Sequence, residues 1–349
     1  MTKQRVRIGI VGAGANTRLK HIPGFRAIDG VEIVGLVNRT PQSGARVAQE
    51  FGIPKVYPDW QSLVRDPGVD AVMIGTWPYM HCEVTCAALE AGKHVLTEAR
   101  MAANVAEARR MVEAARARPE CVAQIVPSPF GLECGAFVQK TLKDHFLGDL
   151  REIVVIGADD SFWDYSRPIH WRQETRWSGV NMLTLGILHE TAMRWVPPVE
   201  RVIAQTNIFE PTRPDLELGQ MVRVGVPDSV QVLTQHARGV RGVYHFSGVA
   251  LHGPGKQIHL YGNRGTLKVE FADGEKVFLG HHSDKTLRPI EIPAEIKGGW
   301  RVEEEFIGAI RKEEPVKFTD FASGLNYMEF TEAVAISAER GLPVTLPLA

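Results

Sequence analysis

At 349 residues the chain is longer than one hydrophobic core comfortably serves, so two domains are the first expectation. Hydrophobic residues make up 44% and charged residues 23%, ordinary values for a soluble globular protein. A net charge of −1 excludes a basic field for nucleic acid or an anionic membrane surface, and no apolar run approaches a membrane span.

The first element is a short apolar run, Val6, Ile8, Ile10 and Val11, of the kind a strand buried on both faces needs. It leads into Gly12-Ala13-Gly14, with Thr17 where a third small residue would open a helix. Gly12 permits a tight turn, Gly14 lets backbone approach a pyrophosphate, and Ala15 and Asn16 lie where helix N–H groups meet it. Dinucleotide binding is the expectation from this stretch alone. A strand beginning by residue 6 leaves no room for a signal peptide, so a cytoplasmic location is expected.

A helix is expected over residues 18–30, with His21 and Pro23 in its first half, then a strand over 31–37. That strand reaches Asn38-Arg39-Thr40, where an acidic residue usually accepts the ribose hydroxyls of NAD. Asn38 brings no charge to repel a 2′-phosphate and Arg39 is able to pair with one, which favours NADP over NAD. The alternative lays Arg39 flat over the adenine, where it discriminates nothing. A helix over 42–51, a short segment near Val56, a strand over 69–75 and a helix ending at Ala91-Gly92 follow. A strand over 93–98, a helix over 104–118 and a strand over 122–126 complete the alternation, which means a parallel, doubly wound sheet. Ligands of such sheets bind beyond the carboxyl ends of the strands, so Thr76, Trp77, Pro78, His81 and Glu98 are candidate cofactor contacts, with Pro127 beside them. His81, Cys82 and Cys86 have a spacing able to hold zinc, but no fourth ligand is close in sequence; thiols kept reduced are expected and no metal.

From residue 128 the grammar changes: a helix over 132–144, a strand over 152–159, a long aromatic loop and a helix over 179–196. Strands over 201–208, 220–226, 230–234, 242–249, 257–261 and 266–269 follow, then helices over 300–312 and 321–339. The expected fold is α/β: a Rossmann domain over 1–127 and an α+β domain over 128–349 with an open, mostly antiparallel sheet and helices on one face. The last helix, 321–339, is allowed to pack on the first domain instead.

Residues 161–195 hold the densest polar-aromatic cluster, with four of the seven tryptophans. Trp163 and Trp171 offer faces suited to sugar rings, and Arg172 and Asn181 offer groups suited to their hydroxyls. The other reading makes these tryptophans staples of a domain interface. On one helix Asn181, Leu185 and His189 would fall along a stripe, placing Asn181 and His189 on a common face. His189 is the candidate proton acceptor, because imidazole titrates near neutrality; against this, Leu185, Leu188 and Ala192 make apolar surroundings suited to a core histidine. Glu190 is expected in a structural salt bridge.

In the order G-x-G, D-A-V-M-I-G-T near residue 70, His81, A-L-E-A-G-K-H-V-L-T-E at 88–98, W-R at Trp171 and G-x-x-H ending at His189, the chain resembles the Gfo/Idh/MocA (glucose–fructose oxidoreductase / inositol dehydrogenase) family over nearly its whole length. The resemblance implies a Rossmann domain, an open-sheet second domain, NAD(P), a sugar or cyclitol substrate, and a homodimer or homotetramer associating through the C-terminal sheet. It also implies a Glu-Lys-Pro segment whose lysine assists proton transfer; here that segment reads Glu98-Ala99-Arg100. The second signature, an Asp, a Gly and a His at two-residue intervals, reads L-T-L-G-I-L-H-E, without the aspartate. Glu98 and His189 are therefore the retained catalytic candidates. Arg100 stays protonated and is a candidate for binding an anionic substrate group or a cofactor phosphate, or else an exposed, solvated arginine. A positioned acid/base is worth about 10²–10⁴ in rate, roughly 3–5 kcal/mol of barrier, which another group must supply. Three readings follow: an oxidoreductase acting on a secondary alcohol of a sugar or polyol; a redox-neutral glycosidase or lyase using transient oxidation; and a non-catalytic cofactor-binding sensor.

Overall fold

The computed structural model describes residues 4–349, which divide into two compact units. The first comprises residues 4–127 with 301–328, the second 128–300 with 329–349, so 301–328 belongs with the first unit rather than the second. In the first unit β1 (Val6–Val11), β2 (Val31–Val37), β3 (Ala71–Ile74), β4 (His94–Thr97) and β5 (Ala123–Ile125) form a parallel sheet in the order β2-β1-β3-β4-β5. Every residue of β3 is buried, because helices cover both faces of such a sheet. These are α1 (Ile22–Arg26), α2 (Pro41–Phe51), α3 (Trp60–Arg65), α4 (His81–Glu90) and α5 (Val105–Arg116). Starts and stops follow local chemistry. Thr40 Oγ1 accepts from Ser43 N at 3.2 Å to open α2, with Pro41 in the first turn, and Asn104 Oδ1 accepts from Glu107 N at 2.9 Å to open α5.

The helix expected over 18–30 is shorter and differently wound. Thr17–His21 forms a π-helical turn, α1 continues it, and the chain leaves the helix at Ala27. The wider turn carries an extra residue and leaves His21 fully buried.

The second unit contains α6 (Gly135–Lys143), β6 (Leu150–Ala158), α7 (Thr175–Ser178), α8 (Leu185–Met193) and β7 (Val199–Asn207). A small hairpin, β8 (Thr212–Asp215) with β9 (Gln220–Arg223), precedes β10 (Ser229–His236), β11 (Arg241–Ser247), β12 (Gly255–Gly262), β13 (Gly265–Glu270), β14 (Lys276–His281) and β15 (Arg288–Ile290). With β16 (Val344–Thr345) the large sheet runs β15-β14-β13-β12-β6-β11-β10-β7-β16. Only β6 and β11 pair in parallel; the other neighbours are antiparallel. β15, β16 and β8 with its Pro214 escaped the sequence reading because they are short and lie at sheet edges or in the hairpin; the longer interior strand β14 escaped it as well. Alternate residues of the sheet (Val155, Val230, Val232, Tyr244, Phe246, Ile258) bury against Leu185 and Leu188 of α8 and against Phe330 and Val334. Residues of the opposite face remain apolar and open: Ile203, Leu233 and Val243 are 41%, 58% and 45% exposed, and Leu233 is the register partner of both others.

Two helices, α9 (Val302–Ile310) and α10 (Phe321–Arg340), lie between β15 and β16, and the division between units falls within α10. The helix expected over 179–196 is interrupted. Gly179 and Leu183 have positive φ (63° and 46°), so α7 ends at Ser178 and α8 starts only at Leu185.

Candidate active site

The turn after β1 depends on Gly12. Its φ is +86°, and a Cβ there would lie 2.6 Å from Thr76 Cγ2 at the end of β3. Side chains fix the turn from both sides: Thr17 Oγ1 donates to Gly12 O at 3.2 Å, and Asn38 Oδ1 accepts from Ala13 N at 2.7 Å. Above it opens a cavity of about 440 Å3 lined by Gly12, Gly14, Asn38, Arg39, Thr76 and Trp77 among others. Six separately expected residues thus meet at the carboxyl end of one sheet. The cavity suits a dinucleotide. Gly14 is open enough for close backbone approach, and Thr76 Oγ1 is buried with no partner among the described residues.

Other expected contacts lie elsewhere. Ala15 and Asn16 are exposed and do not line the cavity. Pro78 and His81 are buried beneath it, and His81 is a strut: its Nδ1 lies 2.8 Å from Arg100 O and its Nε2 3.0 Å from Thr76 O. Burial lowers its pKa, against the pull of those carbonyls. Asn38 spends its side-chain oxygen on the glycine turn, and the Arg39 guanidinium stands 5.7 Å from the Trp77 ring. The sequence reading missed Ser43 and the Pro58-Asp59-Trp60 segment, which also line the cavity. Pro58-Asp59 does carry a signal, since Asp59 caps α3 by accepting from Ser62 N at 2.6 Å.

At the end of β4, Glu98 is tightly held. Asn16 Nδ2 hydrogen-bonds its Oε1, His21 Nε2 lies 3.0 Å from the same oxygen, and Ala99 N donates to Oε2 at 3.2 Å. Burial works against the carboxylate, but the His21 hydrogen bond and charge outweigh it and keep the Glu98 pKa below its usual value. Arg100 is only 4% exposed, which removes the reading of it as a solvated arginine.

In the second unit Trp163 and Arg172 are exposed, Trp171 is half-buried, and the Arg172 guanidinium lies over the Trp171 ring at 4.2 Å. This loop is held by a residue that sequence reasoning missed. Arg213, 1% exposed, donates to Asp164 O at 2.6 Å and to Phe162 O, tying the β8–β9 hairpin to it. Asn181 is a correction: it precedes α8, is buried, and donates to Ser178 O at 2.7 Å, so it shares no helical stripe with His189. Glu190 forms the expected salt bridge, with Arg194 at 2.6 Å, and also accepts from Ser128 N.

His189 is 3% exposed, its ring stacked on Phe330 with centroids 3.5 Å apart and its Nδ1 3.1 Å from Tyr244 Oη. Burial, then the neighbouring His236, pushes its pKa well below 6.5. The expectation of an imidazole titrating near neutrality is corrected: His189 is neutral throughout that range.

Residues 6–125 match the Gfo/Idh/MocA oxidoreductase family's NAD-binding Rossmann fold and residues 136–268 its C-terminal domain. A trans-1,2-dihydrobenzene-1,2-diol dehydrogenase of Mus musculus is 32% identical over 248 residues, 68% of this chain and 67% of that one. The chain belongs to the Gfo/Idh/MocA oxidoreductase family. Another member, the Sus scrofa enzyme of the same name, is 28% identical over 68% of this chain and 65% of its own length. A 1,5-anhydro-D-fructose reductase of Ensifer adhaerens is 43% identical over 110 residues, a third of its length. Levoglucosan dehydrogenase, solved in complex with NADH and levoglucosan, superposes on this family member with a TM-score of 0.89 at 21% identity. The match covers 99% of this chain and 100% of that one, which establishes the shared fold.

Because His189 is neutral when folded and titrates near 6.5 when unfolded, acid favours the unfolded chain below about pH 6.5. In His189→Gln the fall in melting temperature between about pH 7 and 5 should be shallower than in wild type. His189→Ala should cost roughly 3–5 kcal/mol, as for other large buried rings, measured by denaturant unfolding.

Proposed function

We propose that this oxidoreductase moves a hydride between NAD(P) and a secondary alcohol of a carbohydrate or polyol. The observation that carries the reading is the cavity over the Gly12 turn, where Gly14, Arg39, Thr76 and Trp77 converge. The relatives' names, dehydrogenases and a reductase, and a structural neighbour with NADH and levoglucosan support the same class. When bound, the nicotinamide supplies the hydride acceptor or donor.

The chain's own residues do the rest. Backbone N–H groups after Gly12 meet the pyrophosphate, and Thr76 Oγ1 gives the cofactor a buried hydroxyl. Arg39 and Ser43 at the start of α2 suit a 2′-phosphate, and Asn38 cannot repel one, so NADP is the preferred cofactor. His189 Nδ1 and Tyr244 Oη share a hydrogen bond that fixes the ring, and the imidazole stays neutral there. Trp163, Trp171 and Arg172 hold the sugar ring, Arg100 an anionic group, and Asn181 braces the end of α7 through Ser178 O. Among the described residues no helix is long and apolar enough to cross a membrane, in keeping with a cytoplasmic enzyme. The outer sheet face at Ile203, Leu233 and Val243 is where a second copy associates.

Three measurements test the reading. Arg39→Ala should weaken NADP about tenfold or more by calorimetry and NAD far less, because a charge-assisted pair exists only with the 2′-phosphate; an equal loss for both excludes the preference. Trp163→Ala and Arg172→Ala should raise KM across a sugar and polyol panel while cofactor affinity stays unchanged, with net formation of reduced nicotinamide separating dehydrogenation from redox-neutral chemistry. Leu233→Glu should shift a sedimenting dimer or tetramer toward monomer, and a monomeric wild type removes the association surface.

A further inference from the structure

Arg213 on β8 is almost wholly buried, yet its acceptors are two neutral carbonyls. Its Nη1 donates to Asp164 O at 2.6 Å and its Nη2 to Phe162 O, while its Nε is buried with no hydrogen-bond partner among the described residues. The Asp164 carboxylate is engaged elsewhere, accepting from the Ser166 hydroxyl at 2.6 Å and from Arg167 Nε at 3.2 Å. As a contribution to stability the arrangement is poor. A buried guanidinium gives up its hydration, and an N–H left unpaired adds to that cost, whereas an aliphatic side chain would fill the space without either penalty. The position of the two carbonyls supplies the reason for an arginine.

Phe162 and Asp164 flank Trp163, so one rigid, planar fork fixes the backbone on both sides of that residue. Both neighbours are partly buried, whereas Trp163 itself is 48% exposed. The same strip of chain is tied at further points. Phe162 N donates to Gly248 O at 2.6 Å, and Gly248 N donates to Asp228 O at 2.9 Å. Ile169 N donates to Pro214 O at 2.8 Å, and Gln173 O accepts from Gly225 N at 2.8 Å. Residues 162–173 are thus shaped by the hairpin and the strand ends beside it, and not by regular structure of their own. An exposed indole whose backbone is held in this way keeps its orientation before anything binds. Little conformational freedom is then lost when a ring stacks on it.

We propose that Arg213 is a positioning residue that orients Trp163 for stacking on the ring of the substrate, which makes the β8–β9 hairpin part of what sets substrate affinity. The proposal rests on the reading above that the aromatic loop holds the sugar, and it names the residue through which that loop gets its shape. Arg213 touches no substrate. It acts through the carbonyls of Phe162 and Asp164, so its effect falls on KM rather than on kcat.

The test is a double-mutant cycle between Arg213 and Trp163 in the full chain. It is read by steady-state kinetics with NAD and NADP on glucose, xylose, myo-inositol and levoglucosan. Trp163→Ala removes the stacking face and should raise KM about three- to tenfold. Arg213→Met keeps the apolar stem but loses both donors, and should raise KM by a similar factor with kcat nearly unchanged. The double variant should be no worse than the more severe single one, because a loop without its indole has nothing left to orient. A merely structural Arg213 gives another pattern: its loss multiplies with that of Trp163. Arg213→Lys keeps the charge but offers one nitrogen where the guanidinium used two, so its KM should fall between wild type and Arg213→Met. It also serves in the cycle if the methionine variant does not fold. In the lysine variant, hydrogen exchange followed by mass spectrometry should quicken over residues 162–165 and not over β10 or β11. Multiplicative losses in the double variant, or a wild-type KM in whichever arginine variant folds, overturn the proposal while leaving the sugar-loop reading intact. An unchanged KM in Trp163→Ala, or a wild type that turns over none of the four compounds, overturns both.

Discussion

The left-handed turn at Gly12 is the constraint on which the first unit depends. Thr76 Cγ2 occupies the space a side chain would need, so only glycine lets the ends of β1 and β3 approach so closely. That approach exposes the backbone of residues 12–14 at the carboxyl edge of the sheet. It also brings Ala13 N within reach of Asn38 and Gly12 O within reach of Thr17. The cavity is a consequence of those contacts. Its walls come from the ends of β1, β2 and β3, so the polar groups of three strands converge on one volume without any of them leaving its sheet.

The second unit solves a different problem. A wide sheet buries one face against α6, α8 and the later turns of α10, and a parallel pair, β6 with β11, lies at its middle. Its other face keeps Ile203, Leu233 and Val243 in the open, aligned by register across three strands. The aromatic loop has almost no regular structure of its own. Arg213 holds it by donating to two of its carbonyls, a long-range use of one guanidinium that satisfies backbone groups otherwise left to water.

Buried charge is handled by local compensation in both units. Glu190 is paired with Arg194 and a backbone N–H, and His21 is paired with two carboxylates. Neither arrangement leaves an ion facing apolar atoms alone, which would cost several kcal/mol. They differ in make-up: Glu190 meets one guanidinium, whereas His21 lies between two carboxylates. His189 follows the opposite course, staying neutral against Phe330 and Tyr244.

Local pattern was enough for the sheet and its glycine turn. Val6 to Gly14, Asn38-Arg39 and Thr76-Trp77 declare themselves because strand burial, turn chemistry and strand-end position are all short-range properties. Helix interruptions were less legible. Leu183 adopts a positive φ that its side chain does not advertise, so Asn181 and His189 read as one helix although a break divides them. Roles set by distant neighbours were not legible at all. His21 and Glu303 are 282 positions apart, and Arg213 meets Phe162 and Asp164 from another hairpin. His81 reads as a strand-end ligand until the carbonyls of Thr76 and Arg100 are seen on either side of it. The sequence by itself determined the strands of the first unit and the glycine turn after β1, because those depend on periodicity and on residues a few positions apart. Only the tertiary structure decided which histidine is charged and which is neutral, because ionisation depends on the burial and the partners that folding brings together.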